Sequence, residues 1–290
     1  MAMDQITAKG AEQNYFRKRT VRIYTLCAAL VLAVISAVAY ALDFDPVKQV
    51  FKIGSALGAV TFYSALALTA IALIIPFIIV PQQKVEETLF PEENRYSHYY
   101  TTDNRFVLIL RIVVCCVVVI EDAVRIAALL SGADKTALPT VAAVIMLMSA
   151  LPLALYFVPE AVDRLIPTSG KTHLACGCLG LIWFVLNIVD RYFDKSVSLS
   201  SEFVTLNQIS CIVIMLAIVY EIRYRLSGDK PRARLATSCA AAVIGIGLGL
   251  GQLAMLVSVG QVSYGATATS VTLLFIGLYF GARIFFYEED

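Results

Sequence analysis

An all-α, polytopic membrane bundle of eight transmembrane helices is the fold this sequence predicts, and three observations predict it. Of 290 residues, 59% are apolar and only 16% are charged, against about 45–50% and 25% in an ordinary soluble domain. Eight apolar windows each approach or exceed the roughly 20 residues needed to cross a bilayer core of about 30 Å at 1.5 Å per residue. These windows are apolar around their whole circumference, without the alternation of barrel strands. A formal net charge of +1 gives no global field that would attract nucleic acid.

The first window, Ile23 to Leu42, follows the basic run Arg17-Lys18-Arg19 and contains Ala39-Tyr40-Ala41, so it resembles a signal peptide. Its apolar stretch is longer than the roughly 7–15 residues of a signal core, and an uncleaved helix is expected. The second window is Ala56 to Val80. After it, Pro81 to Arg105 is the longest connection, with Pro91-Glu92-Glu93-Asn94 and the aromatic group Tyr96, His98, Tyr99 and Tyr100. Tyrosines at that position fit headgroup anchoring, with partner binding as the alternative. The third window is Phe106 to Leu130, the fourth Val141 to Val158, the fifth Leu174 to Phe193 and the sixth Phe203 to Tyr220. Leu235 to Val259 and Ala266 to Phe286 complete the set, and the whole chain reads as one membrane domain, residues 1–290.

Charge placement orients the bundle. With both termini in the cytoplasm, sixteen Lys and Arg fall inside, and only Lys48, Lys52, Lys135 and Lys195 fall outside. That asymmetry obeys the positive-inside rule. The even-numbered helices share a faint pattern at their inner ends: an apolar span, a short amphipathic stretch and a breaker, as in Val158 to Pro167. Four tandem helical hairpins would produce it. The basic and breaker residues that end any inward-running helix produce it too, and that plainer account takes precedence.

Within the windows lie only seven charged residues: Arg111, Glu121, Asp122, Arg125, Asp190, Arg191 and Arg283. On the third helix Arg125, Arg111 and Asp122 fall at about 40°, 80° and 100° from Glu121, all on one face. Glu121 lies too deep to reach the interface, where an ionised carboxylate costs on the order of 3 kcal/mol or more unless paired. Arg125 stands at i+4 from Glu121 and i+3 from Asp122. Pairing would make this cluster internal glue; the acid left over makes it a candidate substrate or ion site. On the fifth helix Asn187, Asp190 and Arg191 share another arc. With Asn207, Gln208, Gln252 and Glu202 they suggest a polar cavity opening outward. Gly245, Gly247, Gly249 and Gly251 on the seventh helix, and Gly277 with Gly281 on the eighth, have the spacing of close helix packing.

Several chemistries lack their marks. His98 and His173 are the only histidines, so no two-histidine membrane metal site is expected; no P-loop or nucleophile elbow occurs, and no lysine lies in a window. All seven cysteines lie within windows and read as small apolar residues, with Cys176-x-Cys178 a remote thiol-pair alternative. No cofactor, metal or enzymatic activity is expected. The expected function is permease-like: binding or moving a small polar or ionic solute through an outward-facing cavity around the third and fifth helices. The alternative is a non-transporting sensor, scaffold or assembly subunit acting through its cytoplasmic loops. The expected partner is the lipid bilayer, with a small solute or ion, and the expected location a bacterial inner or plasma membrane.

Overall fold

In a computed structural model, the described residues are 2–45, 50–52, 55–80, 104–132, 138–158, 170–193, 201–227, 231–259 and 264–286. Among them are eight helices: α1 (Ala2–Asp43), α2 (Ala56–Ile79), α3 (Arg105–Leu130), α4 (Thr140–Tyr156), α5 (Gly170–Phe193), α6 (Glu202–Ser227), α7 (Pro231–Val259) and α8 (Tyr264–Phe286). A two-stranded antiparallel ladder, β1 (Phe44–Asp45) and β2 (Val50–Phe51), follows α1 and pairs Phe44 with Phe51. The aromatic group at Tyr96 to Tyr100, Pro159 to Pro167, and Lys48, Lys135 and Lys195 lie outside the described residues.

Six helices are long and apolar enough to cross a membrane, and the chain is a multi-pass membrane protein by that measure: α1 over Arg19–Asp43, α2, and α5 to α8. α4 is apolar but has 17 residues. α3 has 26 residues, but its apolar run is broken by Arg111, Glu121, Asp122 and Arg125. Large apolar side chains such as Val34, Ile74, Ile78, Ile109, Ile120, Met148 and Leu179 are exposed on the outside of the bundle. Such a surface suits a lipid environment and would be an aggregation surface in water.

Two caps set the helix starts. Asn104 accepts hydrogen bonds from the backbone N–H groups of Phe106 and Val107 at the start of α3, satisfying donors that have no partner inside the helix. Ser55 does the same for Gly58 at the start of α2 and donates to Asp43 Oδ2 at 2.6 Å, tying α2 to the end of α1.

The packing order is a ring. α3 packs on α4, α4 on α5, α5 on α6, α6 on α7, α7 on α8, and α8 closes back onto α3. α1 and α2 sit outside the ring against α7, making α7 the most enclosed helix. Its glycines explain the position. Alternate glycines lie about 200° apart on a helix, so Gly245 and Gly249 face α8 while Gly247 and Gly251 face α1. A Cβ on Gly245 would stand 2.8 Å from the Leu273 carbonyl oxygen and 2.9 Å from Gly277 Cα; one on Gly247 would meet Leu32 and one on Gly251 would meet Ser36. The Ser36 hydroxyl uses that closeness to donate to the Gly247 carbonyl at 2.7 Å. Gly277 is half of the α7–α8 contact, whereas Gly281 meets only the far end of Ile246.

Candidate functional site

α3 buries one stripe, Val107, Leu110, Arg111, Val114, Val118, Glu121 and Arg125, at the i, i+3, i+4 spacing of a single helix face. That face turns into the ring, and its charged end forms the first of two polar layers. Arg125 Nε donates to Glu121 Oε1 at 3.1 Å, and Nη2 lies 3.0 Å from the same oxygen. Nη2 also donates to Asn187 Oδ1 on α5 at 2.6 Å and to the Thr269 hydroxyl on α8. Nη1 faces the Met146 sulfur on α4 at 3.7 Å. The Thr269 hydroxyl donates to Glu121 Oε1 at 3.0 Å, and Asn187 is itself held by donating to the Trp183 carbonyl at 2.8 Å. The guanidinium stands 5.9 Å from the Trp183 ring centroid, within cation–π range. Glu121 and Arg125 are 3% and 8% exposed, so solvent does not screen this pair.

α5 is not a ring neighbour of α3, so the Arg125–Asn187 bond crosses the ring axis. Of the residues the sequence singled out, Glu121, Arg125 and Asn187 are brought together. Asp122 is half-buried beside them and interacts electrostatically with Arg125 and Glu121. Asp190 and Arg191 are half-buried on the next turn of α5, and Arg191 lies within electrostatic reach of Arg125, Glu121 and Cys211.

Arg111 does not join them. It is four helical turns away, about 21 Å along α3, and Nη2 donates to the Val158 carbonyl just past the end of α4 at 2.8 Å. A cation there satisfies a carbonyl at the negative end of a helix dipole.

The second layer is one the sequence reading placed in a loop. The predicted sixth window stops at Tyr220, but α6 continues to Ser227, and Glu221 and Arg225 are 1% and 2% exposed. Glu221 Oε1 accepts from Arg225 Nη2 at 2.6 Å and from the Tyr279 hydroxyl on α8 at 2.9 Å, and pairs with Arg283. Tyr279 in turn accepts from Arg225 at 3.2 Å and Arg283 at 3.1 Å. Arg225 stands 5.3 Å over the ring of Tyr156 on α4. α6 touches α8 directly but does not pack on α4, so it is the Arg225–Tyr156 contact that spans the ring.

A signal for it exists in the sequence. Glu-x-x-x-Arg occurs at 121–125 and again at 221–225, with Tyr279 and Arg283 at the same i, i+4 spacing on α8. Along α8, Thr269 and Tyr279 are ten residues apart, so the layers stand about 15 Å apart. Val114, Val118, Leu153, Ile214, Ile218 and Ile276, all nearly fully buried in the main apolar core, occupy the intervening levels of the ring helices.

Two of the polar residues expected to open a cavity outward, Asn207 and Gln252, bond to each other instead. Gln252 Nε2 donates to Asn207 Oδ1 at 3.1 Å and faces the Tyr40 hydroxyl at 3.5 Å, where α1, α6 and α7 meet. Tyr40, Phe44, Phe51 and Phe203 form a closed aromatic cluster around the β1–β2 ladder, with ring centroids 5.1–6.0 Å apart. Among the described residues no three His, Cys, Asp or Glu side chains gather as metal ligands would. Neither a protein-family model, nor a curated protein, nor a solved structure matches the chain.

Proposed function

We propose that this chain is a permease-like membrane protein that binds and moves a small polar or ionic solute along the axis of the α3–α8 ring. It crosses the bilayer eight times, with both ends on the basic, cytoplasmic side of a bacterial inner or other plasma membrane. In that orientation the Glu121 layer lies toward the outside and the Glu221 layer toward the cytoplasm. α3 counts as a span because its charges turn into the ring and not toward lipid.

One observation carries the reading: two buried Glu–Arg networks cross the same ring about 15 Å apart, each reaching a helix that does not pack on its own, α5 from α3 through Asn187 and α4 from α6 through Tyr156. Parting the Glu121 layer frees α3 from α5, and parting the Glu221 layer frees α6 from α4 and loosens it from α8. A path closed at two levels that can part separately suits alternating access. Intramembrane acids and bases facing a bundle interior are the usual lining of solute and proton paths. Glu121 is the proton- or cation-handling carboxylate, Arg125 its counter-charge, and Asp122 and Asn187 its companions.

The burial of Glu121 against Arg125 favours a second reading, in which both networks are fixed staples of a non-transporting sensor, scaffold or assembly subunit. Glu121→Gln separates the two. Wild type and variant are reconstituted at equal density in proteoliposomes and challenged with amines, amino acids, carboxylates and inorganic ions while transient currents are recorded. A current seen in wild type and abolished in a folded variant supports transport. No current with any solute, together with a variant that only loses thermal stability, leaves the staple reading standing and overturns the permease.

A further inference from the structure

Donors and acceptors in the Glu121 layer do not balance. All three nitrogens of Arg125 are engaged, by Glu121, Met146, Asn187 and Thr269. On the acid side the opposite holds: Glu121 Oε2 and Asp122 Oδ1 are buried without a hydrogen-bond partner among the described residues. A third, independent atom lies on α8. The Thr272 hydroxyl is 0% exposed and also has no partner among the described residues. Thr272 stands about 60° around the helix from Thr269, which touches both Glu121 and Arg125, so it shares the face that α8 turns to the ring axis.

Buried polar atoms are normally satisfied, and a native exception asks for a missing partner. An anion would meet two carboxylates that repel it and an arginine already committed; Arg191 is within electrostatic reach of Glu121 but donates to neither free carboxylate oxygen. A cation bearing N–H groups would supply what the layer lacks, since charge-assisted hydrogen bonds to carboxylate are the strong ones. Toward the other layer the side chains at that level, Val114, Val118 and Ile276, are apolar and buried, which suits a short hydrocarbon body.

We infer that the site marked by the unsatisfied atoms of Glu121, Asp122 and Thr272 takes a small hydrogen-bond-donating cation of the ammonium class, such as a short primary amine. The inference rests on the ring axis being the solute path and names the class of solute that path accepts.

The chain carries its own reporter, because its single tryptophan, Trp183, stands beside Arg125. The full chain in lipid nanodiscs is titrated with methylammonium and propylammonium. Sodium, potassium, acetate and tetramethylammonium serve as comparators, the last being a cation of similar charge with no N–H. A saturable change in Trp183 emission is expected for the two amines. Binding should weaken about tenfold or more in Asp122→Asn and a few-fold in Thr272→Val, in line with loss of a charged and a neutral hydrogen bond.

Silence with both amines overturns the inference, as does an equal response to sodium, potassium or tetramethylammonium, a response to acetate alone, or amine binding indifferent to Asp122→Asn. Neither variant removes an atom that Arg125 depends on for a hydrogen bond, so both keep the test open if Glu121→Gln fails to fold. Amine binding without any proteoliposome current would keep this site and sink transport. Currents carried by an anion, with no amine response, would do the reverse.

Discussion

Gly277→Ala should loosen the bundle where Gly281→Ala does not, although the two glycines belong to one small-x-x-x-small pair. A Cβ on Gly277 would lie 2.8 Å from Gly245 Cα and 3.0 Å from both Gly245 C and Ile246 N, where ordinary contact begins at 3.4 Å. Every obstructing atom is backbone, so α7 and α8 must part by about 0.6 Å over the whole contact. Overpacking of this kind costs about 1–3 kcal/mol, here near the top of the range because no side chain can rotate away. The better helix propensity of alanine returns about 1 kcal/mol, leaving a net loss of about 1–2 kcal/mol.

At Gly281 the nearest atom is Ile246 Cδ1 at 3.3 Å, the end of a flexible side chain, followed by Ala242 Cβ at 3.6 Å. Only the propensity term remains there, so Gly281→Ala should be neutral or slightly stabilising. The two variants should differ by about 2 kcal/mol, roughly thirty-fold in the unfolding equilibrium. Reversible unfolding in mixed micelles, followed by far-ultraviolet circular dichroism, measures that difference. Equal losses for both variants, or a larger loss at Gly281, would show that α7 and α8 do not meet at Gly245 and Gly277.

Further outcomes follow from the same geometry. Glu221→Leu removes the acceptor shared by Arg225, Arg283 and Tyr279 and leaves buried cations short of their counter-charge, so unfolding stability should fall by about 3–5 kcal/mol; a loss under 1 kcal/mol would place Glu221 in water. Arg125→Lys keeps the charge but loses the planar fork that reaches Glu121, Asn187 and Thr269 together. Trp183 emission should therefore change in this variant while far-ultraviolet dichroism does not, and an unchanged spectrum would contradict the 5.9 Å contact. Phe51→Ala opens the aromatic cluster around Tyr40 and should cost about 3–5 kcal/mol, read as a lowered midpoint in thermal unfolding. Asn104→Ala should cost about 1 kcal/mol through the lost cap of α3, and amide exchange at Phe106 and Val107 should quicken.

The first layer was half legible in the sequence. Glu121 and Arg125 announce themselves as charges at i, i+4 in an apolar helix, and Asn187 as an amide on another. Thr269, Met146 and Trp183 carry no such mark, because threonine, methionine and tryptophan are ordinary in a membrane helix and only the ring closure brings them to Arg125. Arg111 shows the opposite limit: it shares a helix face with Glu121 and Arg125, but sharing a face does not mean sharing a depth, and the Val158 carbonyl it donates to carries no mark in the sequence. Glu221 and Arg225 were missed because an apolar window ends at the first charge, whereas a helix ends where its backbone hydrogen bonds do. The alternate glycines of α7 were the most informative packing signal, since two ridges about 200° apart require a neighbour on each side.

Both buried acids stand four residues ahead of an arginine on their own helix, and this bears on how such a chain is made. α8 supplies Thr269 to one layer and Tyr279 and Arg283 to the other, and it is the last of the eight helices to leave the ribosome. Until it arrives neither layer is complete and the ring is open. Glu121 with Arg125, and Glu221 with Arg225, each form a self-neutralised pair within a single helix, which lowers the cost of burying them before α8 arrives. The arginines need not find their acids during assembly; each keeps its own acid, which becomes shared when α8 docks.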